Sequence, residues 1–187
     1  MLSDIEQKFT KKYMFTKTYI AWRKDIICDA IYNVLKPKSL IDVGCSIGEL
    51  VQGFKERGVE AKGLDGSRNI LEYLKCDIND VMFEDLSEHI ELNFKYDVAT
   101  CFEVFGILPQ EHREQAVKNL CGFSDRVLVA CEEKYMNEVR DYMTDNYYLE
   151  FPVMAIKIKH QVPEKWRGKD AVSKIYNGLA CFGVMDD

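Results

Sequence analysis

Four short stretches of this chain set an acid or a glycine directly after an apolar run. They are Asp42-Val-Gly44-Cys45-Ser46-Ile-Gly48-Glu49, Gly63-Leu-Asp65-Gly66-Ser67, Phe83-Glu-Asp85-Leu86-Ser87 and Tyr96-Asp-Val-Ala-Thr-Cys-Phe102-Glu103-Val104. Glycine tolerates backbone conformations that other residues resist, so Gly44 permits a tight turn and Gly48 lets the chain pass close to a ligand. A helix that begins at once after such a turn offers unpaired N–H groups to an anionic or polar ligand group. Asp65, 23 residues beyond Asp42, is placed to accept hydrogen bonds from both hydroxyls of a ribose. Its plain alternative is a helix-capping aspartate. Asp85 can accept from the amino group of an adenine, and Phe102 with Glu103 would stand at the edge of the same crevice. Each stretch alone reads equally as an ordinary turn; their order and common placement carry the chemistry.

The elements that would position them alternate. Apolar spacing (Ile20, Ile27, Ala30, Ile31, Val34) predicts a helix over 18–35, ended by Pro37 because the residue before proline avoids helical geometry. Strands are expected over 39–43, 60–64, 81–84, 96–102 and 126–131, and helices over 47–57 (stopped by Gly58), from a Ser67 cap to 74, and over 110–120 and 133–145. The alternation in 148–159 reads as a sixth strand, and 178–184 as a seventh. Strand and helix in turn imply an α/β fold: a doubly wound, mostly parallel sheet with helices on both faces. Ligands then bind beyond the carboxyl ends of the strands. A chain of 187 residues suits a single domain. It divides into an N-terminal helical cap (1–38), a core (39–131) and a C-terminal helix and β-hairpin carrying an acceptor-side loop (132–187).

Composition narrows the class. The chain is 47% hydrophobic and 30% charged, with 4 prolines and 11 glycines, which excludes collagen and disordered linkers. No apolar run approaches the roughly 20 residues of a bilayer span, and residues 1–10 carry no apolar signal core. A cytoplasmic protein is expected, without membrane contact. The seven cysteines are scattered and form no C-x-x-C pair, so reduced buried thiols are expected, with neither disulfides nor a metal site. Net charge is −6, unevenly spread: residues 1–38 hold 8 Lys/Arg against 4 Asp/Glu, 39–152 hold 11 against 23, and 153–179 hold 6 against 2. Basic flanks around an acidic body read as an anionic partner or simply as solvated faces.

Together the four stretches resemble the class I S-adenosylmethionine-dependent methyltransferases, over roughly residues 40–131. The resemblance implies S-adenosylmethionine as cofactor, S-adenosylhomocysteine as product, and the strand order 3-2-1-4-5-7-6 with the seventh strand antiparallel. It assigns Asp42, Gly44, Cys45, Ser46 and Gly48 to the cradle for the methionine and ribose. Asp65 and Gly66 go to the ribose diol, Asp85 and Leu86 to the adenine, and Phe102 and Glu103 to the methionine end and the transfer site. Ser46 stands where the commoner D-x-G-C-G-x-G loop has its middle glycine. The Glu-His-Leu common after strand four is here Glu103-Val-Phe-Gly-Ile-Leu108, which removes one candidate base.

The acceptor expected is a small molecule with an O or N nucleophile, and an anionic one is credible if both basic flanks face it. The Asn/Asp-Pro-Pro-Tyr and Pro-Cys signatures of nucleobase methyltransferases are absent. Nor can the last glutamate of the Lys-Asp-Lys-Glu set of ribose 2′-O enzymes be placed. RNA remains a minor alternative, as does a catalytically silent cofactor-binding subunit. Dinucleotide binding would want G-x-G-x-x-G, and the loop has only two glycines, four apart. Candidate catalytic residues are Glu103, His160 and Tyr19. Tyr19 and Arg23 share a helix face at i and i+4. Arg23 either pairs the cofactor carboxylate or is solvated. Trp166, among Lys165, Arg167 and Lys169, either stacks on an acceptor or anchors its loop.

Overall fold

The structure is a computed structural model that describes residues 24–143, 152–162, 164 and 179–183. Expectations for Tyr19, Arg23 and Trp166 lie outside the described residues, as does most of the N-terminal cap.

Among the described residues six strands form one sheet: β1 (Ser39–Val43), β2 (Glu60–Leu64), β3 (Val81–Met82), β4 (Val98–Phe102), β5 (Arg126–Ala130) and β6 (Leu179–Gly183). Their order is β3-β2-β1-β4-β5-β6. All neighbours are parallel except β5 and β6, which run antiparallel from Arg126 opposite Gly183 to Ala130 opposite Leu179. The chain leaves β1 first toward β2 and β3, then returns to the other side for β4 and β5. The order reverses between β1 and β4, which opens a crevice at their carboxyl ends. The expected doubly wound sheet is present. The last strand described takes the place expected of the seventh.

Helices α1 (Lys24–Leu35), α2 (Glu49–Lys55) and α5 (Pro152–Gln161) cover one face, and α3 (Gln110–Phe123) and α4 (Glu133–Tyr142) the other. The strands serve both faces by alternation. On β5, Leu128 and Ala130 pack with Ile31 of α1, Phe54 of α2 and Ile158 of α5. Val127 and Val129, between them, pack with Leu120 of α3 and Val139 of α4. All four strand residues are fully buried, as a sheet covered on both sides requires.

Two expectations fail for physical reasons. The described part of the expected sixth strand is helical: α5 occupies Pro152–Gln161, where a strand of the C-terminal hairpin was expected. Pro152 stands at the first helical position, where a missing N–H costs nothing. The Ile156-Lys-Ile-Lys159 run mimics a period of two, but the buried residues are Ala155, Ile158 and Val162, spaced as on a helix face. Ser67 is no helix cap either. It precedes a tight 3₁₀ turn (Arg68–Tyr73), from whose N–H groups its side chain accepts no capping hydrogen bond. Smaller differences concern ends: β3 stops at Met82, and α3 runs on to Phe123.

Among the described residues no helix is long and apolar enough to cross a membrane. The seven thiols are free. Burial pushes those of Cys131 and Cys181 up to about 12.

Candidate active site

The chain turns sharply at the end of β1. Gly44 (φ 74°), Ser46 (φ 51°) and Gly48 (φ 75°) are all left-handed, and the turn is pinned where Gly44 N and Cys45 N both donate to Leu64 O, at 2.7 and 3.1 Å. A Cβ at Gly44 would lie 2.2 Å from Val104 Cγ2, and one at Gly48 would lie 2.3 Å from Cys76 Sγ. Both glycines are therefore required by close approach as well as by φ. Ser46 holds the same conformation without a glycine's freedom, at a cost of about 1–2 kcal/mol. The commoner glycine at this position thus has a backbone reason.

Asp65, at the end of β2, is 5% exposed. Its Oδ2 accepts from Ser46 N at 2.8 Å and its Oδ1 from Ser67 N at 2.9 Å. The carboxylate thus fastens the glycine turn as well as facing the crevice. Asp85 is less buried, and its Oδ1 accepts from Ser87 N at 2.9 Å. The segment carrying Asp85 and Leu86 is tied down by Asn119 of α3, whose Nδ2 donates to Leu86 O (3.2 Å) and Glu88 O (2.8 Å) while its Oδ1 accepts from Ile90 N.

Glu103 ends β4 in a left-handed conformation (φ 61°), with its N–H donating to Ala130 O at 2.7 Å. The chain then folds back through Val104–Leu108. Arg113 of α3 straps this turn from behind. Its Nε donates to Leu108 O, its Nη1 donates to both oxygens of Glu138 of α4 (2.9 and 2.7 Å), and its guanidinium lies over the Tyr135 ring.

These elements line a half-open cavity at the carboxyl end of the sheet. Eight of the residues singled out in the sequence line it: Gly44, Ser46, Asp65, Gly66, Asp85, Leu86, Phe102 and Glu103. Four others do not. Cys45 is buried with its Sγ against Gly63, and Gly48 starts α2 under Cys76. Asp42 is buried within β1, where Thr100 Oγ1 donates to its Oδ1 at 2.7 Å. Burial pushes the Asp42 carboxyl up to about 7, against the pull of that hydrogen bond and with the help of Asp65. His160 is exposed on α5 and does not line the cavity.

Val104, Ile107 and Leu108 complete the lining. The apolar run 104–108 was their only sequence signal. Glu49, at the first turn of α2, is 5% exposed, and neither of its carboxylate oxygens accepts a hydrogen bond among the described residues. Burial raises it to about 7, countered by Lys75 and Lys24.

A left-handed glycine turn after β1, with acids after β2 and β3, places the protein among doubly wound α/β proteins that bind a nucleoside-bearing cofactor at the switch point. The family model for the methyltransferase domain matches residues 19–171, and the chain belongs to that family. The resemblance to class I S-adenosylmethionine-dependent methyltransferases is borne out.

Solved structures share the fold at low identity. A TehB-like SAM-dependent methyltransferase from Corynebacterium glutamicum is 17% identical with a TM-score of 0.62, over 94% of this chain and 97% of that one. DesVI from Streptomyces venezuelae is 19% identical with a TM-score of 0.51, over 65% and 57%. CalS10 from Micromonospora echinaspora, an amino pentose methyltransferase, is 19% identical with a TM-score of 0.50, over 59% and 50%. The chain spans about half the length of several structures it matches. No curated protein matches it in sequence.

Proposed function

We propose that this protein binds S-adenosylmethionine in the cavity and transfers its methyl group to a small-molecule O or N nucleophile. The observation that carries the reading is the cavity itself, which joins the glycine turn, both strand-end aspartates and the end of β4 in one crevice. The residues fit the cofactor. Asp65 lines the cavity at the end of β2, where a carboxylate can accept from two ribose hydroxyls. Asp85 can accept from the adenine amino group beside the apolar Leu86. Gly44 lets the turn close against Val104, where a Cβ would collide.

When bound, the cofactor supplies an activated methyl on a sulfonium. The residues of this chain have the remaining tasks of aligning an acceptor and excluding water. Phe102, Val104, Ile107 and Leu108 give the crevice a dry wall, and Glu103 gives it one ionisable group at the rim of β4. Membership of the methyltransferase-domain family supports the reaction class. CalS10, which shares the fold, supports a small-molecule acceptor. The single-domain organisation is part of the same proposal.

The test is calorimetry with S-adenosylhomocysteine, followed by incubation with methyl-labelled S-adenosylmethionine and, separately, a metabolite pool and RNA. The expected result is binding of the homocysteine product and label in the small-molecule fraction. Absence of binding overturns the cofactor, and label only in RNA overturns the acceptor class.

A further inference from the structure

The turn after β4 sends its apolar side chains in two directions. Val104, Phe105 and Leu108 are buried and pack in one layer with Leu120 of α3 and with Val127 and Val129 of β5. Ile107 stands among these anchors but is only half-buried, and among the described residues it packs into neither apolar layer of the fold. It lines the cavity instead. The backbone holds it there, because Ile107 N and Leu108 N both donate to Val104 O, at 2.8 and 3.3 Å. A lone exposed isoleucine needs no explanation, and Ile78 is one, 54% exposed and away from the cavity lining. Ile107 differs in its company, since Phe102, Val104 and Leu108 line the same cavity.

The place of that wall says what covers it. Val104 lies so close to the glycine turn that a Cβ at Gly44 would be 2.2 Å from its Cγ2. Under the reading above, the wall therefore begins at the turn that cradles the cofactor, and a molecule laid on it lies beside the methyl donor. The four side chains of the wall hold no hydrogen-bonding group. A hydroxylated ring resting on them would give up water and find no partner there. A hydrocarbon face has no such cost and gains by leaving water.

Resting on the cofactor reading, we infer that the acceptor carries its O or N nucleophile on a hydrocarbon ring or chain, that this apolar body covers the wall, and that Ile107 is the residue that selects it over a hydroxylated body of the same size. Val104 and Leu108 have structural duties in the core, so a change there would disturb the fold as well. Ile107 has none among the described residues and can serve recognition alone.

The experiment uses the full chain saturated with S-adenosylhomocysteine, titrated with cyclohexanol and with myo-inositol, uncharged rings of one size, and followed through the NMR signals of each probe. Cyclohexanol is expected to bind at least about tenfold more tightly. Along straight-chain butanol, pentanol and hexanol, affinity should rise about two- to fourfold per methylene. Ile107→Ser should weaken cyclohexanol at least about fivefold and Ile107→Leu should keep most of the affinity. S-adenosylhomocysteine should bind both variants within about twofold of wild type, which also shows that they fold. The matched Ile78→Ser should change neither affinity.

Equal or tighter binding of myo-inositol overturns the inference, as does no binding of cyclohexanol, a flat response along the alcohols, or unchanged cyclohexanol affinity in Ile107→Ser. An equal loss of S-adenosylhomocysteine affinity in Ile107→Ser assigns the side chain to the cofactor and also overturns it. So does a loss of cyclohexanol affinity in Ile78→Ser as large as that in Ile107→Ser. Failure of the wild-type chain to bind S-adenosylhomocysteine is a separate result, and it overturns the cofactor reading instead.

Discussion

At the amino end of the sheet, Lys38 N and Ser39 N donate to Asp97 Oδ2 at 2.6 and 3.1 Å, while Asp97 N donates to Ser39 Oγ at 3.0 Å. At the carboxyl end, Ser46 N and Ser67 N donate to the two oxygens of Asp65. Both aspartates accept from two backbone N–H groups, yet Asp97 is exposed and Asp65 is buried. Gly58 and Gly44 make the same contrast. Both are left-handed, at φ 77° and 74°, but a Cβ at Gly58 meets nothing within 4 Å, and one at Gly44 runs into Val104. The same local devices serve both ends. Only at the carboxyl end are they buried and crowded around a cavity, so changes there reach both stability and binding.

The largest expected effect tests that crowding. Gly44→Ala should lose about 3 kcal/mol or more, from left-handed strain and overpacking together, and should abolish S-adenosylhomocysteine binding. Gly58→Ala should lose only about 1–2 kcal/mol, from φ alone, and bind normally. Urea melts and calorimetry on the pair decide it; equal losses would erase the distinction between the two ends.

Next comes Asp42, whose carboxyl is raised from 3.8 to about 7 by burial. Between those values the unfolded chain has released the proton and the folded chain still holds it. Its contribution to stability is therefore full below the lower value and fades as pH rises through the upper. Over that interval wild type should lose on the order of a few kcal/mol relative to Asp42→Asn, read from urea midpoints at about pH 5 and about pH 8.

Asp65→Ala should weaken S-adenosylhomocysteine binding by about 1.5–3 kcal/mol. The matched Asp97→Ala should cost about 1 kcal/mol of stability and leave affinity unchanged, because water can reach the N–H groups it exposes. Ser46→Gly is the smallest. Relief of left-handed strain is partly offset by glycine's freer unfolded state, so a gain of at most about 1 kcal/mol is expected. A loss would show that the Ser46 side chain holds the turn.

The strand ends were legible because a covered parallel strand is a short apolar run stopped by glycine or acid, and β1 and β2 match their expected bounds. Most of the cavity lining followed from those stops. What escaped needed contacts far along the chain. Asn119 lies 33 residues from Leu86, and nothing near it in sequence marks it as a tether. The 152–161 helix was misread because alternating isoleucine and lysine hides a face that only α1 and the sheet reveal. Asp65 was read as a ribose ligand or a cap, and its tie to the Ser46 amide belongs to tertiary structure.

Arg113 never meets the cavity, yet it grips Leu108 O on one side and Glu138 on the other. The order of the apolar wall is thereby settled when the chain folds, and docking an acceptor need not freeze that segment again. Substitutions at Arg113 or Glu138 would loosen the wall without altering any atom an acceptor touches. Tolerance for bulkier or differently shaped acceptors can therefore drift through residues at the back of the cavity, while its chemistry stays the same.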